Sequence, residues 1–227
     1  MICLIILTIL SICTIAVFVA RPFHKERTLS VKEIAGAQAE NAISTTLDIC
    51  CKQDGRNYKI FQNVYIPKSD TEETTEIDVL LVHESGFYVF ESKNIYGKLY
   101  GDLKSSKWNC YYGEKKQEFC NPINQNSLHI KHLEKLMTLA DKHFKSFNII
   151  VFGKNTQVKK IPENTDWYRI YDIYSLRTSF LKFVKNQPSI YSTQEMECFF
   201  SSLLKYANTS EKTKMKHVKR LKSRNYQ

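Results

Sequence analysis

The residues of this chain best suited to chemistry lie in one stretch, EIDVLLVHESGFYVFESKN, residues 76–94. In an extended strand successive side chains alternate faces, so Phe87, Val89, Glu91 and Lys93 share one side while Tyr88, Phe90 and Ser92 share the other. Asp78 lies on the preceding β-rich run. A tight turn near Ser85-Gly86 between two antiparallel strands would bring its carboxylate to that of Glu91 and to the Lys93 ammonium. Carboxylate oxygens are hard ligands that, completed by water and a substrate phosphate, suit Mg²⁺ or Mn²⁺. An ion held by Asp78 and Glu91 would polarise a phosphate and lower the pKa of bound water. Lys93 is expected to act electrostatically, because neighbouring carboxylates oppose the pKa depression that a lysine base needs. Taken by its spacing alone, the same trio also fits an ordinary solvated strand edge with no function.

The elements that must position these residues follow from periodicity. Ser30 with Glu33 has the form of a capping box for a helix over residues 31–50. YKIFQNVYI reads as a strand closed by Pro67 and the acidic DTEETTE stretch, and the runs on either side of Ser85-Gly86 read as a hairpin within a sheet. GKLYGD and WNCYY suggest short edge strands, NPINQ introduces a helix over residues 124–143, and FNIIVFG has the near-continuous apolar character of a strand buried on both faces. This order predicts an α/β fold with a central mixed β-sheet flanked by helices. Beyond Gly153 a strand and two helices are expected to cover the sheet. No internal repeat, glycine-rich phosphate loop or H-E-x-x-H pattern is present.

Several separated segments then agree with one family in the same order: GAQAE at 36–40, FQNVYIP at 61–67, EIDVLLV at 76–82, GFYVFESKN at 86–94, YGKLYGD at 96–102, Trp108, and FCNPINQNSLHIKHLEKL at 119–136. Over roughly residues 31–150 the chain resembles the NERD, or nuclease-related, domain family of the PD-(D/E)xK, restriction-endonuclease-like superfamily. The resemblance implies a restriction-endonuclease-like core. It also implies metal binding by Asp78 and Glu91, assistance to hydrolysis by Lys93, and site positions at Glu40 and Gln125. Ala39 stands where such families often have Gly, a mild change in a helix. Judged without the family, Gln125 reads as a helix-start amide and Glu40 as a solvated helix side chain. His129 and His132, three residues apart, lack a third ligand and read as packed or solvated. Trp108, Tyr111 and Tyr112 could stack on bases but read as packing residues.

The ends of the 227-residue chain differ from its middle. Residues 1–20 are uncharged and apolar over a length that crosses a bilayer, and Arg21, Lys25 and Arg27 follow them. These features predict a single-pass transmembrane anchor with the C-terminal part cytoplasmic. Seven cysteines without a C-x-x-C pair suggest free thiols in a reducing compartment. The formal charge of +10 is concentrated near the C-terminus, where seven Lys/Arg could meet anionic lipid or nucleic acid. The expected organisation is a transmembrane anchor at 1–20, a juxtamembrane linker at 21–30, the NERD-like domain at 31–150, a C-terminal α/β extension at 151–207 and a basic tail at 208–227. The expected function is a membrane-anchored, Mg²⁺- or Mn²⁺-dependent nuclease acting on DNA or RNA. The alternative is a membrane-tethered, non-catalytic nucleic-acid-binding or protein-interaction module.

Overall fold

The computed structural model describes residues 30–68, 73–138 and 144–224. Of the two units into which the chain divides, Met1–Val31 and Lys32–Gln227, the second carries the fold described below. Its first helix, α1 (Val31–Asp54), presents Ile43, Leu47, Cys50 and Cys51 to the core, a helical stripe of spacing four, seven and eight. α1 runs past the expected end at residue 50. A Lys52–Asp48 ion pair of 2.6 Å supports its last turn, and Gly55, at φ +84°, stops it by donating its N–H to the Cys51 carbonyl.

Five strands form the central sheet: β1 (Tyr58–Pro67), β2 (Thr74–His83), β3 (Gly86–Lys93), β7 (Ser146–Phe152) and β9 (Tyr168–Asp172), in that order. The first three are antiparallel, while β3–β7 and β7–β9 are parallel, so the sheet is mixed as expected. β3 lies at its centre, and its alternation separates two cores. Tyr88 and Phe90 pack toward α1 and α3 (Leu176–Lys185). Phe87 and Val89 pack toward α2 (Pro122–Thr138) and α4 (Thr193–Ala207). The Phe87 ring meets those of Phe144, Tyr191 and Phe199. Emptying such a position usually costs about 3–5 kcal/mol. α4 begins with a complete Ser192/Glu195 capping box, and α5 (Glu211–Arg224) occupies the region expected to be a basic tail.

The short strands anticipated at the sheet edge form a second sheet, β6 (Lys115–Cys120), β5 (Lys107–Tyr112), β4 (Gly97–Tyr100) and β8 (Thr156–Lys160). Its inner face contributes Leu99 and Trp108 to a third core with Ile123, Ile150 and Phe152. Trp108 is a packing residue: it is fully buried, stacks on Phe152 and donates Nε1–H to the Asp102 carbonyl at 3.0 Å. Gly101 makes room for it, since a Cβ there would overlap the indole.

The expectation of a membrane-anchored, single-pass protein is corrected. Among the described residues no helix is long and apolar enough to cross a membrane. The longest, α1, has 24 residues but carries Lys32, Glu33, Glu40, Asp48, Lys52 and Asp54, charges that a hydrocarbon core excludes. The run on which the expectation rested, residues 1–20, lies outside the described residues. Membrane localisation, a lipid-bilayer partner and tethering of the alternative binding module are withdrawn with it. The described cysteines Cys50, Cys51, Cys110, Cys120 and Cys198 are free thiols.

A buried polar chain ties the hairpin turn to both helices on one side of the sheet. Asp54 Oδ2 lies 3.1 Å from His83 Nε2, His83 Nδ1 lies 2.8 Å from Ser85 Oγ, and that oxygen bonds Tyr88 Oη at 2.6 Å. Arg56 holds Asp54 and donates to the Val184 and Gln187 carbonyls at the end of α3. The bonding order is that of an Asp-His-Ser triad. His83 and Ser85 are nevertheless completely buried and the hydroxyl is engaged, so the arrangement is a structural clamp.

Burial, with the nearby Arg56 charge, holds the His83 pKa below its ordinary value of 6.5. The unfolded chain therefore binds the extra proton first on acidification. The His83 contribution is complete above about pH 6.5 and is lost as pH falls below it. His83→Gln should be about 1–3 kcal/mol less stable than the parent at pH 8 in denaturant titrations, the cost of an incompletely bonded buried site. The difference should shrink toward pH 5, and a constant difference would refute this assignment.

Candidate functional site

The site forms where β2 and β3 run side by side. Continuing their ladder one step past Val79/Phe90 sets Asp78 opposite Glu91. The Asp78 carboxylate turns to accept the Ser92 N–H at 2.8 Å. Lys93 Nζ meets Glu91 Oε1 at 2.6 Å. The first turn of α2 closes the arrangement: Gln125 Nε2 donates to Glu91 Oε1 at 2.7 Å, while its Oε1 accepts from Lys93 Nζ at 3.1 Å. One amide thus fixes both the carboxylate and the ammonium.

Local sequence explains how Gln125 arrives there. Asn121 Oδ1 accepts the Ile123 N–H at 3.0 Å, and Pro122 takes the first helical position, where no N–H is required. The Asn121 amide nitrogen donates to the Ser105 carbonyl at 2.9 Å, anchoring the helix start to the loop between β4 and β5. α2 consequently begins two residues before the expected Asn124.

Four carboxylates share this neighbourhood. Glu40, on α1, and Glu76, on β2, meet through Asn63; with its amide turned so that the nitrogen faces these acceptors, it donates to Glu40 Oε2 at 3.3 Å and Glu76 Oε1 at 3.2 Å. Asn63 has φ +50°, a left-handed conformation that asparagine tolerates better than most residues. The β1–β2 ladder pairs Gln62 with Val79 and Val64 with Ile77, skipping Asn63 opposite Asp78. The kink therefore aims Asn63 at the acids. Tyr65 Oη also donates to Glu76 Oε1.

The electrostatics follow from this crowding. Burial, then repulsion from Glu91, pushes the Asp78 carboxyl well above the ordinary range, with the Ser92 N–H opposing. For Glu91 burial would act the same way, but Lys93 and His129 outweigh it and hold its pKa low. Burial would lower Lys93, yet Glu91 and Asp78 keep it raised and charged. Glu40 is pushed up to about 7 by burial and by the charges of Glu76 and Glu91. Burial likewise raises Glu76.

All five expected site residues, Asp78, Glu91, Lys93, Glu40 and Gln125, thus come to one region. The sequence did not single out Asn63 or Glu76, and His129, expected to be packed or solvated, faces Glu91. His129 is buried, lies 3.3 Å from Glu91 Oε2 without the alignment of a hydrogen bond, and contacts Thr75 Oγ1 at 2.6 Å through Nδ1. Its place on α2 one turn beyond Gln125 was the available signal. Asp78 and Gln125 open into a cleft of about 590 Å³, lined also by Lys68, His132, His217 and Arg220. The last two come from α5: His217 Nε2 lies 3.7 Å from Glu76, and Arg220 spans Glu73 and the Thr74 carbonyl. Nothing in the spacing of the C-terminal residues foretold that return.

The nuclease-related domain, NERD, matches residues 35–153, which include Glu40, Asn63, Glu76, Asp78, Glu91, Lys93, Gln125 and His129 but not α5. Over 170 residues the chain is 25% identical to a protein of Bacillus anthracis described only as uncharacterized, covering 75% of this chain and 77% of that one. No solved structure matches. The family is compatible with metal dependence, although among the described residues no group of three or more His, Cys, Asp or Glu is placed to hold an ion unaided. With its match spanning over half of the sequence, the chain belongs to the nuclease-related domain family.

Proposed function

We propose that the cleft hydrolyses phosphodiester bonds of DNA or RNA with Mg²⁺ or Mn²⁺. The observation carrying this reading is Asp78 set opposite Glu91 with Lys93 paired to Glu91, and Glu40 and Glu76 close enough to add their charge to the same buried region. Mutual repulsion among desolvated carboxylates is costly to folding, and a divalent cation is the partner that relieves it. The donor chemistry fits: the oxygens are hard, and buried Glu91 Oε2 lacks a hydrogen-bond donor. Asp78 and Glu91 would hold the ion, with water and substrate oxygens completing its shell. Such an ion supplies Lewis acidity and a more acidic bound water.

The chain's own groups do the rest. Lys93, kept charged and oriented by Glu91 and Gln125, offsets negative charge developing on the phosphoryl oxygens. Gln125 fixes the carboxylate and ammonium relative to each other. Glu40, with proton affinity near neutrality, is suited to accepting a proton at physiological pH. Lys68 and Arg220, which share the Glu73 carboxylate, leave that side of the cleft with a net positive charge suited to an anionic backbone.

Asp78→Ala, Glu91→Ala and Lys93→Ala should each lower Mg²⁺-dependent cleavage of single- or double-stranded DNA or RNA by at least about 10²-fold, the usual scale for losing an electrostatic group of this kind. Circular dichroism should remain unchanged. Cleavage at the parent rate by the Asp78 and Glu91 variants would remove the site assignment. In parallel, Mn²⁺ should raise the melting temperature of the parent but not of Glu91→Gln.

Without metal, the raised Glu40 pKa makes its ionised form a burden on the fold. Its stabilising proton is retained well below pH 7 and lost as pH rises through about 7. In chelator, Glu40→Gln should therefore gain stability relative to the parent on going from pH 5 to pH 8, as read by denaturant midpoints. A gain in the opposite direction would show that Glu40 is not crowded by its neighbours.

A further inference from the structure

The second sheet has an open face. Along β4 and β5 the residues Leu99, Trp108 and Cys110 are buried, whereas Lys98, Tyr100 and Lys107 are exposed and Asn109 and Tyr111 half-buried. Register places Lys98 beside Tyr111 and Tyr100 beside Asn109. On the flanking strands Lys116 pairs with Tyr111, and Lys160 with Tyr100. Tyr100 and Tyr111 touch edge to face, 5.7 Å between centroids, with Tyr100 39% exposed. Glu118 is the acid that the β5–β6 register adds to this face, and Lys116 and Lys107 flank it at 2.7 and 3.8 Å.

We propose that this face binds single-stranded nucleic acid, with bases stacked on Tyr100 and Tyr111 and the backbone held by Lys98, Lys107, Lys116 and Lys160. Aromatic rings take unpaired bases of any sequence, and surrounding lysines take phosphates. A duplex hides its base faces, so an accessible pair of rings selects single strands. The location gives the face a use. Lys107 pairs with Cys120, and Cys120 lines the cleft that contains Asp78 and Gln125. A strand leaving the tyrosines along β5 and β6 arrives at the carboxylates. The inference deepens the nuclease reading and rests on it for the fate of the strand, while binding itself needs only this face.

The test is fluorescence anisotropy of the full chain with labelled oligothymidylate of about 12 nucleotides, within the usual span of such surfaces, in chelator so that no cleavage intervenes. Tyr100→Ala/Tyr111→Ala should weaken binding at least about tenfold, and Tyr100→Phe/Tyr111→Phe should restore it. Lys98→Ala/Lys160→Ala should flatten the log-affinity against log-salt slope by roughly 0.7 for each phosphate no longer neutralised. Duplex of the same length should bind more weakly. Equal affinity of the double alanine variant and the parent, or no binding of the single strand by the parent, overturns the proposal. If the tyrosines prove irrelevant while Mg²⁺-dependent cleavage persists, the platform falls and the nuclease reading stands. If they govern binding but no nucleic acid is cleaved, the platform stands and the nuclease reading falls.

Discussion

Asp78 and Glu91 stand opposite each other on neighbouring strands, Glu91 almost wholly buried, and much of the surrounding structure serves to hold them there. Like charges in a poorly solvated place separate whenever the chain lets them. Here it does not. β3 is buried on both faces, so slipping its register by one residue would turn every core side chain of the strand to the wrong side. Lys93, Gln125 and the Ser92 N–H then absorb as much of the repulsion as side chains can. Hydrophobic burial on either side of the sheet thereby sustains an electrostatic arrangement that the local sequence alone would not maintain.

What was legible in the sequence depended on distance along the chain. The shared face of Glu91 and Lys93 follows from the two-residue period of a strand, and the approach of Asp78 follows from one hairpin. Both are local rules, and both describe the structure. Gln125 sits on the first turn of a helix whose start is written in the Asn-Pro pair, though only the Asn121 capping contact sets the true beginning. Asn63 was opaque because a left-handed residue in a strand leaves no periodic trace. Glu76 shares the strand face of Asp78, but the acidic run around it resembled a solvated loop.

The second sheet shows another limit. Alternation correctly exposed the strand character of GKLYGD and WNCYY, but strand partners are chosen by tertiary packing. Trp108, seated over Phe152 with Gly101 cleared beneath it, draws those strands away from the central sheet edge. The charge average was similarly uninformative until position was known. Lysines scattered in sequence over β4, β5, β6 and β8 become one surface, whereas the dense C-terminal cluster forms a helix with His217 and Arg220 turned toward β2.

That return of α5 bears on the order in which the molecule is assembled. His217 and Thr74 are 143 residues apart. During synthesis the hairpin, α2 and β7 are all available before the residues of α5 exist, and contacts of such long range form late. The residues of the acidic floor are thus all synthesised before those of the wall that α5 supplies. The last wall of the cleft closes only when α5 emerges, so the growing polypeptide carries an unfinished cleft until most of its other elements have already been made.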